Sequence, residues 1–129
     1  MINIEVIDSY SRADALADGV LVDVTTTAKE AGIRYPVALT RAVWERYVAW
    51  DRSDTERNGA IQDEAGRLWD VLWMFRIAAR RGTRDTVHYP LMVVDREKGG
   101  APIERILKAI VGPGDDLEPV ITIMEPDED

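Results

Sequence analysis

Hydrophobic residues recur at helical spacing between residues 60 and 81 and at strand spacing after residue 86. The helical stretch carries one apolar stripe and a second stripe beside it, formed by Ile61, Ala65, Leu68, Leu72, Phe75 and Ala79, and by Trp69, Trp73 and Ile77. Because so much of its circumference is apolar, this stretch predicts a central core helix. Gly82 follows and is a typical helix stop.

The part of the chain before this helix predicts shorter elements. Ser11 to Gly19 has the cap residues of a short helix, and Val20 to Thr25 alternates as a strand does. Thr27 to Glu30 has capping-box spacing, which predicts another one- or two-turn helix. A better helix is expected from Thr40 to Asp51, and the polar stretch Ser53 to Gly59 is expected to be a loop.

The part after the central helix is predicted to be mainly β structure. Thr86 to Arg96 is rich in branched apolar residues, but Pro90 cannot donate a ladder hydrogen bond, so this strand should be an edge, bulged or broken there. Glu104 to Val111 and Glu118 to Met124 flank Gly112 to Asp116. This arrangement predicts a C-terminal hairpin.

Helices thus precede strands along the chain, which predicts an α+β fold. We expect an antiparallel sheet of three or four strands, including the C-terminal hairpin, packed against the long central helix and shorter helices. With 129 residues and 46% hydrophobic content, residues 1–129 are expected to form a single domain with a real core.

Several classes of site are disfavoured by composition. The chain has no Cys and a single His, so disulfides, thiolate chemistry and the usual zinc sites are not expected, and no cofactor is indicated. No Ser lies in a nucleophile-elbow motif, so no catalytic residue is assigned. No apolar run approaches the roughly 20 residues that span a bilayer, and the first residues lack a signal-peptide pattern. We therefore expect a cytoplasmic protein without a membrane association.

The net charge of −8 is concentrated at the C-terminal end. Residues 115–129 contain no Lys or Arg and seven acids: Asp115, Asp116, Glu118, Glu125, Asp127, Glu128 and Asp129. A negative protein is repelled by DNA and by anionic membranes, so direct nucleic-acid binding is not expected. The favoured partner is a protein with a basic surface, on which the carboxylates imitate phosphates. A frayed, solvated terminus explains the same residues equally well.

The expected geometry divides this acidic end into two regions. The last predicted strand spans about 20 Å, because each residue of a strand advances roughly 3.3 Å. The loop acids and the tail acids should therefore lie at opposite ends of it. Two separate charged regions are expected rather than one patch.

The chain resembles an uncharacterised family of small bacterial proteins. The resemblance rests on Ser9 to Thr25, Tyr35 to Trp44, Gly66 to Trp73, and Gly112 through Met124, and it covers nearly the whole chain. Members of the family are often carried on plasmids, phages and integrative elements. The resemblance implies no catalytic residue. It does imply a setting in which small acidic proteins often counter host restriction or CRISPR systems.

An alternative ligand site would use Asp23, His88 and the cationic end of the central helix. Arg76 and Arg80 share a helix face and could hold phosphate, with Arg81 and Arg84 beyond them. The competing explanations are structural. Asp23 would face outward from its strand, His88 would be a partly exposed sheet residue, and the arginines would complement the helix dipole. The Trp residues at helical spacing are expected in the core, and any left exposed would be a candidate binding anchor.

Three hypotheses follow from these patterns. The first is an acidic binding protein, borne on a mobile element, that inhibits a host nucleic-acid-handling defence system of the CRISPR or restriction type through protein–protein contact, as a DNA mimic. The second is a small enzyme that acts on a nucleotide-like ligand. The third is a structural homodimer formed through the Pro90 strand or an exposed Trp.

Overall fold

A single sheet frames the molecule. The computed structural model describes residues 10–81 and 85–128, and within them five strands form this sheet. The strands are β1 (Leu21–Asp23), β2 (Val37–Thr40), β3 (Thr86–Asp95), β4 (Gly99–Pro113) and β5 (Pro119–Met124). The helices are α1 (Arg12–Asp18), α2 (Thr25–Glu30), α3 (Arg41–Val43), α4 (Arg52–Asn58) and α5 (Glu64–Ala79), and α3 continues as a π-helical turn at Trp44–Val48.

The strand order across the sheet is β1-β2-β5-β4-β3. All neighbouring strands are antiparallel except β2 and β5, which run parallel. The predicted α+β fold and the C-terminal hairpin of β4 and β5 are therefore confirmed. The described sheet has five strands, where the sequence predicted three or four.

The additional strand is β2, which the sequence pattern did not reveal. Its first three residues, Val37, Ala38 and Leu39, are buried on both faces of the sheet and form a continuous apolar run. Such a run has no alternation, so its periodicity cannot separate a strand from the start of a helix. The sequence pattern therefore assigns this stretch to the segment that leads into the predicted helix at Thr40.

The prediction of a loop from Ser53 to Gly59 is wrong, because most of this polar stretch forms α4. Asp51 and Asp54 form a capping box at the start of this helix, and Gly59 ends it in the left-handed conformation with φ 79°. The helix lacks a wide apolar stripe, so hydrophobic periodicity could not reveal it. Its caps and ion pairs hold it in place instead.

The core lies between one face of the sheet and α5. Tyr89, Leu91 and Val93 point from β3 into this core, and they pack with Leu68, Val71, Leu72 and Phe75 of α5. Tyr89 Oη also donates a hydrogen bond of 3.1 Å to the carbonyl oxygen of Val71. The central-helix prediction is thus confirmed, with described bounds of Glu64–Ala79.

The strand β3 forms one edge of the sheet, as Pro90 predicted. The register with β4 continues through the pair Pro90↔Ile106, so the strand is not broken there. A register shift occurs further along, between Val93 and Asp95. No further strand of the described residues pairs with the outer edge of β3, and Pro90 has no backbone N–H to donate there.

Candidate functional site

The most distinctive surface of the protein is a groove between α5 and the open edge of β3. We call it the α5–β3 groove. It has a volume of about 330 Å³, and its lining comprises Asp70, Trp73, Met74, Pro90, Leu91, Met92 and Glu104. A smaller cavity of about 140 Å³ shares Asp70, Leu91 and Met92 with it and extends toward the start of α5. Together they follow the β3 edge.

Large apolar side chains line the groove or lie next to its lining residues. Trp69 and Trp73 of α5 are each 37% exposed, and their rings stack with centroids 5.8 Å apart and planes 12° apart. Met92 of β3 is 56% exposed. Ile106 of β4 is also exposed, and it pairs with Pro90, two residues before Met92. A cluster of exposed aromatic and apolar side chains is typical of a binding anchor rather than of a solvated face.

The α5–β3 groove is also acidic. Asp70 and Glu104 line it, and their carboxylates have no hydrogen-bonding or ion-pair partner within residues 10–81 and 85–128. Burial raises the pKa of Asp70, and the nearby charge of Arg67 offsets this only in part. Asp70 is nevertheless an exposed residue, so its carboxylate is accessible to a cation in the groove.

The acids that the sequence marked as partner-binding have divided roles. Asp115 accepts hydrogen bonds from the backbone N–H groups of Arg12 and Ala13 at 2.9 and 3.0 Å, which lower its pKa and fix the start of α1. Glu125 pairs with Arg46 at 2.7 Å and is largely buried. Glu128 also has partners within the fold, so three of the seven acids are engaged internally: Asp115, Glu125 and Glu128.

Glu128 accepts hydrogen bonds from the Thr40 hydroxyl at 2.8 Å and from the backbone N–H of Glu125 at 2.7 Å. It therefore ties the C-terminal turn to β2. Glu118 is half-buried, whereas Asp116 and Asp127 are exposed. Asp129 lies outside the described residues. The strand β5 separates the loop acids from the tail acids.

The residues of the alternative ligand site do not all lie together. Asp23 is exposed and accepts hydrogen bonds from the backbone N–H and the hydroxyl of Thr25, at 3.0 and 2.5 Å, so it fixes the start of α2. His88 is exposed on the sheet face opposite the core. Arg76 and Arg80 do share one cavity with residues of the loop after α2. Arg84 lies outside the described residues.

A buried charged cluster holds α4 against the rest of the molecule. Asp54 accepts hydrogen bonds from Arg57 at 2.6 Å and from Arg96 at 3.0 Å, and Arg96 also reaches Glu45. Arg67 is buried separately, and its hydrogen bonds within the described residues all go to backbone carbonyl oxygens. The internal pairing of these groups indicates that they stabilise the fold rather than form a reactive site.

Acid should destabilise the protein through Asp54. Burial alone would raise the pKa of this carboxyl, but hydrogen bonds from the Asp51 backbone N–H, Arg57 and Arg96 outweigh burial and hold the pKa well below its usual 3.8. The unfolded chain then binds the proton more readily. The stabilisation is therefore complete above about pH 4, the unfolded value, and is lost as pH falls toward the folded pKa.

Urea unfolding between pH 2 and pH 7 measures this effect. We expect Asp54→Asn to be less stable than the wild type at pH 7 and to lose part of the steep decline below about pH 4. Asp116→Asn serves as the matched control and should keep both properties of the wild type. An unchanged pH profile in Asp54→Asn would contradict the role assigned to the cluster.

The described residues provide no other obvious chemical centre. In the described ranges 10–81 and 85–128, no three His, Asp or Glu side chains converge so that they could hold a metal ion. None of the helices in this part of the chain is both long enough and apolar enough to cross a membrane. The α5–β3 groove and the arginine-lined cavity are the surfaces that merit a functional interpretation.

The fold and the groove define an acidic α+β protein with an open, apolar sheet edge. A family model matches residues 1–129, and the chain therefore belongs to this family, which is described as a family of unknown function, DUF6573. Neither a curated protein nor a solved structure matches the chain. The family membership agrees with the uncharacterised family that the sequence resembles.

The sequence indicated some of the groove residues and missed others. Trp69 and Trp73 were expected in the core, with exposure as the condition for a binding role, and both are partly exposed. Asp70 and Glu104 were missed because they are separated by 34 positions along the chain. Both line the groove only because α5 packs against β3 and β3 pairs with β4. One signal in the sequence pointed to this edge: Pro90 and Met92 occupy alternate positions of β3, on the face opposite the buried Tyr89, Leu91 and Val93.

Proposed function

We propose that this protein acts by binding another protein through the α5–β3 groove. The observation that supports it is the meeting, in one groove at the β3 edge, of exposed apolar side chains with two carboxylates that have no partner in the described part of the chain. The partner we infer presents a Lys or Arg flanked by apolar side chains. Its cation would approach Asp70 and Glu104 while its apolar groups contact Trp73 and Met92.

Charge favours a basic partner over a second copy of this chain. Each copy carries a formal net charge of −8, so self-association would bring two acidic grooves together. A partner of opposite charge instead gains faster association and specificity from the same field. The homodimer hypothesis is therefore the weaker one.

The acidic ends of β5 have a supporting role in this proposal. Asp116 and Asp127 are exposed and add to the negative field, whereas Asp115, Glu125 and Glu128 maintain the fold. Proteins that handle nucleic acids have the basic surfaces that such a field attracts. A host defence protein of the CRISPR or restriction type remains the partner class that we propose, and the mobile-element setting is part of that proposal.

Affinity capture from the encoding organism, followed by measured binding of the purified partner, tests this function. We expect a partner with a basic surface whose affinity falls when Asp70→Asn and Glu104→Gln are combined. Glu30→Gln combined with Glu97→Gln removes the same charge elsewhere on the surface and provides the control. Equal affinity of the groove variant and the wild type at moderate salt would reject the proposal.

Neutralising the exposed end acids should change the rate of association more than the lifetime of the complex. Asp116→Asn with Asp127→Asn is expected to slow association several-fold at low salt, because these residues act through long-range attraction. Dissociation should change little. Surface plasmon resonance at two salt concentrations measures both rates, and a variant that alters only dissociation would contradict this role.

A further inference from the structure

A second cavity lies at the C-terminal end of α5. It has a volume of about 510 Å³, within the roughly 300–1,000 Å³ of typical small-molecule sites. Its apolar lining consists of Ile33, Phe75, Ala79, Val111 and Ile121. Arg34, Arg76, Arg80 and Tyr35 surround this apolar floor. The cavity thus combines a hydrophobic interior with a cationic rim.

The guanidinium group of Arg76 is held by contacts other than a carboxylate in the ranges 10–81 and 85–128. It lies over the ring of Trp73, 5.2 Å from the centroid. On its other side it approaches Gly32, where φ is +88° and a Cβ atom would come within 2.8 Å of Arg76 Nε. Gly32 therefore permits a close approach that another residue would block. The side chain is positioned, yet its hydrogen-bond donors remain available.

The other cations at the rim are also available. Among residues 10–81 and 85–128, Arg34, Arg76 and Arg80 have no carboxylate within ion-pair distance. What distinguishes these three arginines is that they line the same cavity. Three unpaired guanidinium groups around one cavity are suited to a multiply charged anion, since their planar donors match phosphate oxygens.

We propose that this cavity binds a free nucleotide, with its phosphate on the three arginines and its base against Tyr35 and the apolar floor. Tyr35 is 45% exposed, so its ring can stack on a planar base. A nucleic-acid strand suits the site less, because its many phosphates would be repelled by the net charge of −8. The cavity and the α5–β3 groove have no lining residue in common. Arg76 of the cavity does lie over Trp73 of the groove, so the test uses variants of other cavity residues, and either proposal can then fail without the other.

Calorimetric titration of the full chain tests the proposal with three probes at physiological salt: adenosine monophosphate, inorganic phosphate and a short oligothymidylate. We expect adenosine monophosphate to bind more tightly than either of the others. Arg34→Gln with Arg80→Gln should weaken its binding about tenfold or more, as expected for lost charge-assisted hydrogen bonds. Tyr35→Ala should lower the affinity for adenosine monophosphate but leave the affinity for inorganic phosphate unchanged.

Arg52→Gln with Lys98→Gln removes the same charge from exposed positions outside the cavity and serves as the control. Thermal unfolding of each variant verifies that the fold is retained. The proposal is overturned if adenosine monophosphate shows no binding at millimolar concentration, or if the control loses as much affinity as the cavity variant. It is equally overturned if inorganic phosphate binds as well as the nucleotide, or if the oligonucleotide binds more tightly.

Discussion

Replacing Arg67 with methionine is expected to lower the free energy of unfolding by about 3 to 5 kcal/mol. Arg67 is only 3% exposed and donates to the carbonyl oxygens of Val48, Val94 and Arg46, at 3.2, 3.0 and 3.1 Å. Its guanidinium also lies 4.8 Å from the ring centroid of Trp50. Methionine fills part of the volume but leaves three carbonyl groups without their donor.

The large effect follows from what Arg67 connects. Its three acceptors come from the π-helical turn and from β3, so one side chain on α5 joins two other parts of the fold. Arg52→Met is the matched control, because the Arg52 side chain is 91% exposed and pairs only with Glu56. Urea unfolding of both variants measures the difference. A loss below about 1 kcal/mol for Arg67→Met would show that these carbonyl groups find other partners.

The second large effect is expected on partner binding. Met92→Arg should weaken the complex about 100-fold or more, equivalent to roughly 3 kcal/mol. The new cation would occupy the groove beside Asp70 and Glu104 and would repel the basic residue of the partner. Because Met92 is already 56% exposed, the substitution should leave the fold intact.

Val20→Arg provides the control for this substitution. Val20 is 52% exposed and directly precedes β1, at the sheet edge opposite β3. Both variants add the same charge and replace a similarly exposed apolar side chain. Titration of the purified partner measures the two affinities. Equal weakening by both variants would mean that total charge, rather than the groove, controls binding.

Much of the fold could be predicted from local patterns. The caps of α1 are explicit in the sequence, since Ser11 and Asp14 form the capping box and Gly19 ends the helix with φ 77°. The apolar stripes of α5 and the turn residues Gly112 to Asp116 before β5 were equally direct. These elements carry their own signals, because each is specified by residues close together in the chain.

The remaining elements depend on contacts between distant residues. The strand β2 is stabilised by its pairing with β1 and β5, and its sequence resembles a helix start. The helix α4 has local caps at Asp51, Asp54 and Gly59, but its attachment to the rest of the fold depends on Arg96, which lies 42 positions from Asp54. Local propensity does not include either set of contacts. The sequence pattern alone therefore predicts a helix start where β2 forms and a loop where α4 forms.

The sequence predicted the candidate sites only conditionally, because exposure and convergence of the side chains depend on the fold. The sequence identified Trp side chains as binding anchors if exposed, and Arg76 and Arg80 as a phosphate site if they converged. It could not show that Asp115 and Glu128 are engaged within the fold, because their partners lie in α1 and β2. The net charge was visible in the sequence, whereas its division between internal pairs and open surface required the fold.

Hydrogen exchange of the complex with its purified partner tests the central claim most directly. Binding at the α5–β3 groove predicts slower exchange of the backbone N–H groups of β3 around Met92 and the part of α5 around Trp73. The opposite sheet edge at β1 should exchange as in the free protein. Protection confined to the ends of β5, with β3 unchanged, would contradict the account and would assign binding to the acidic end instead.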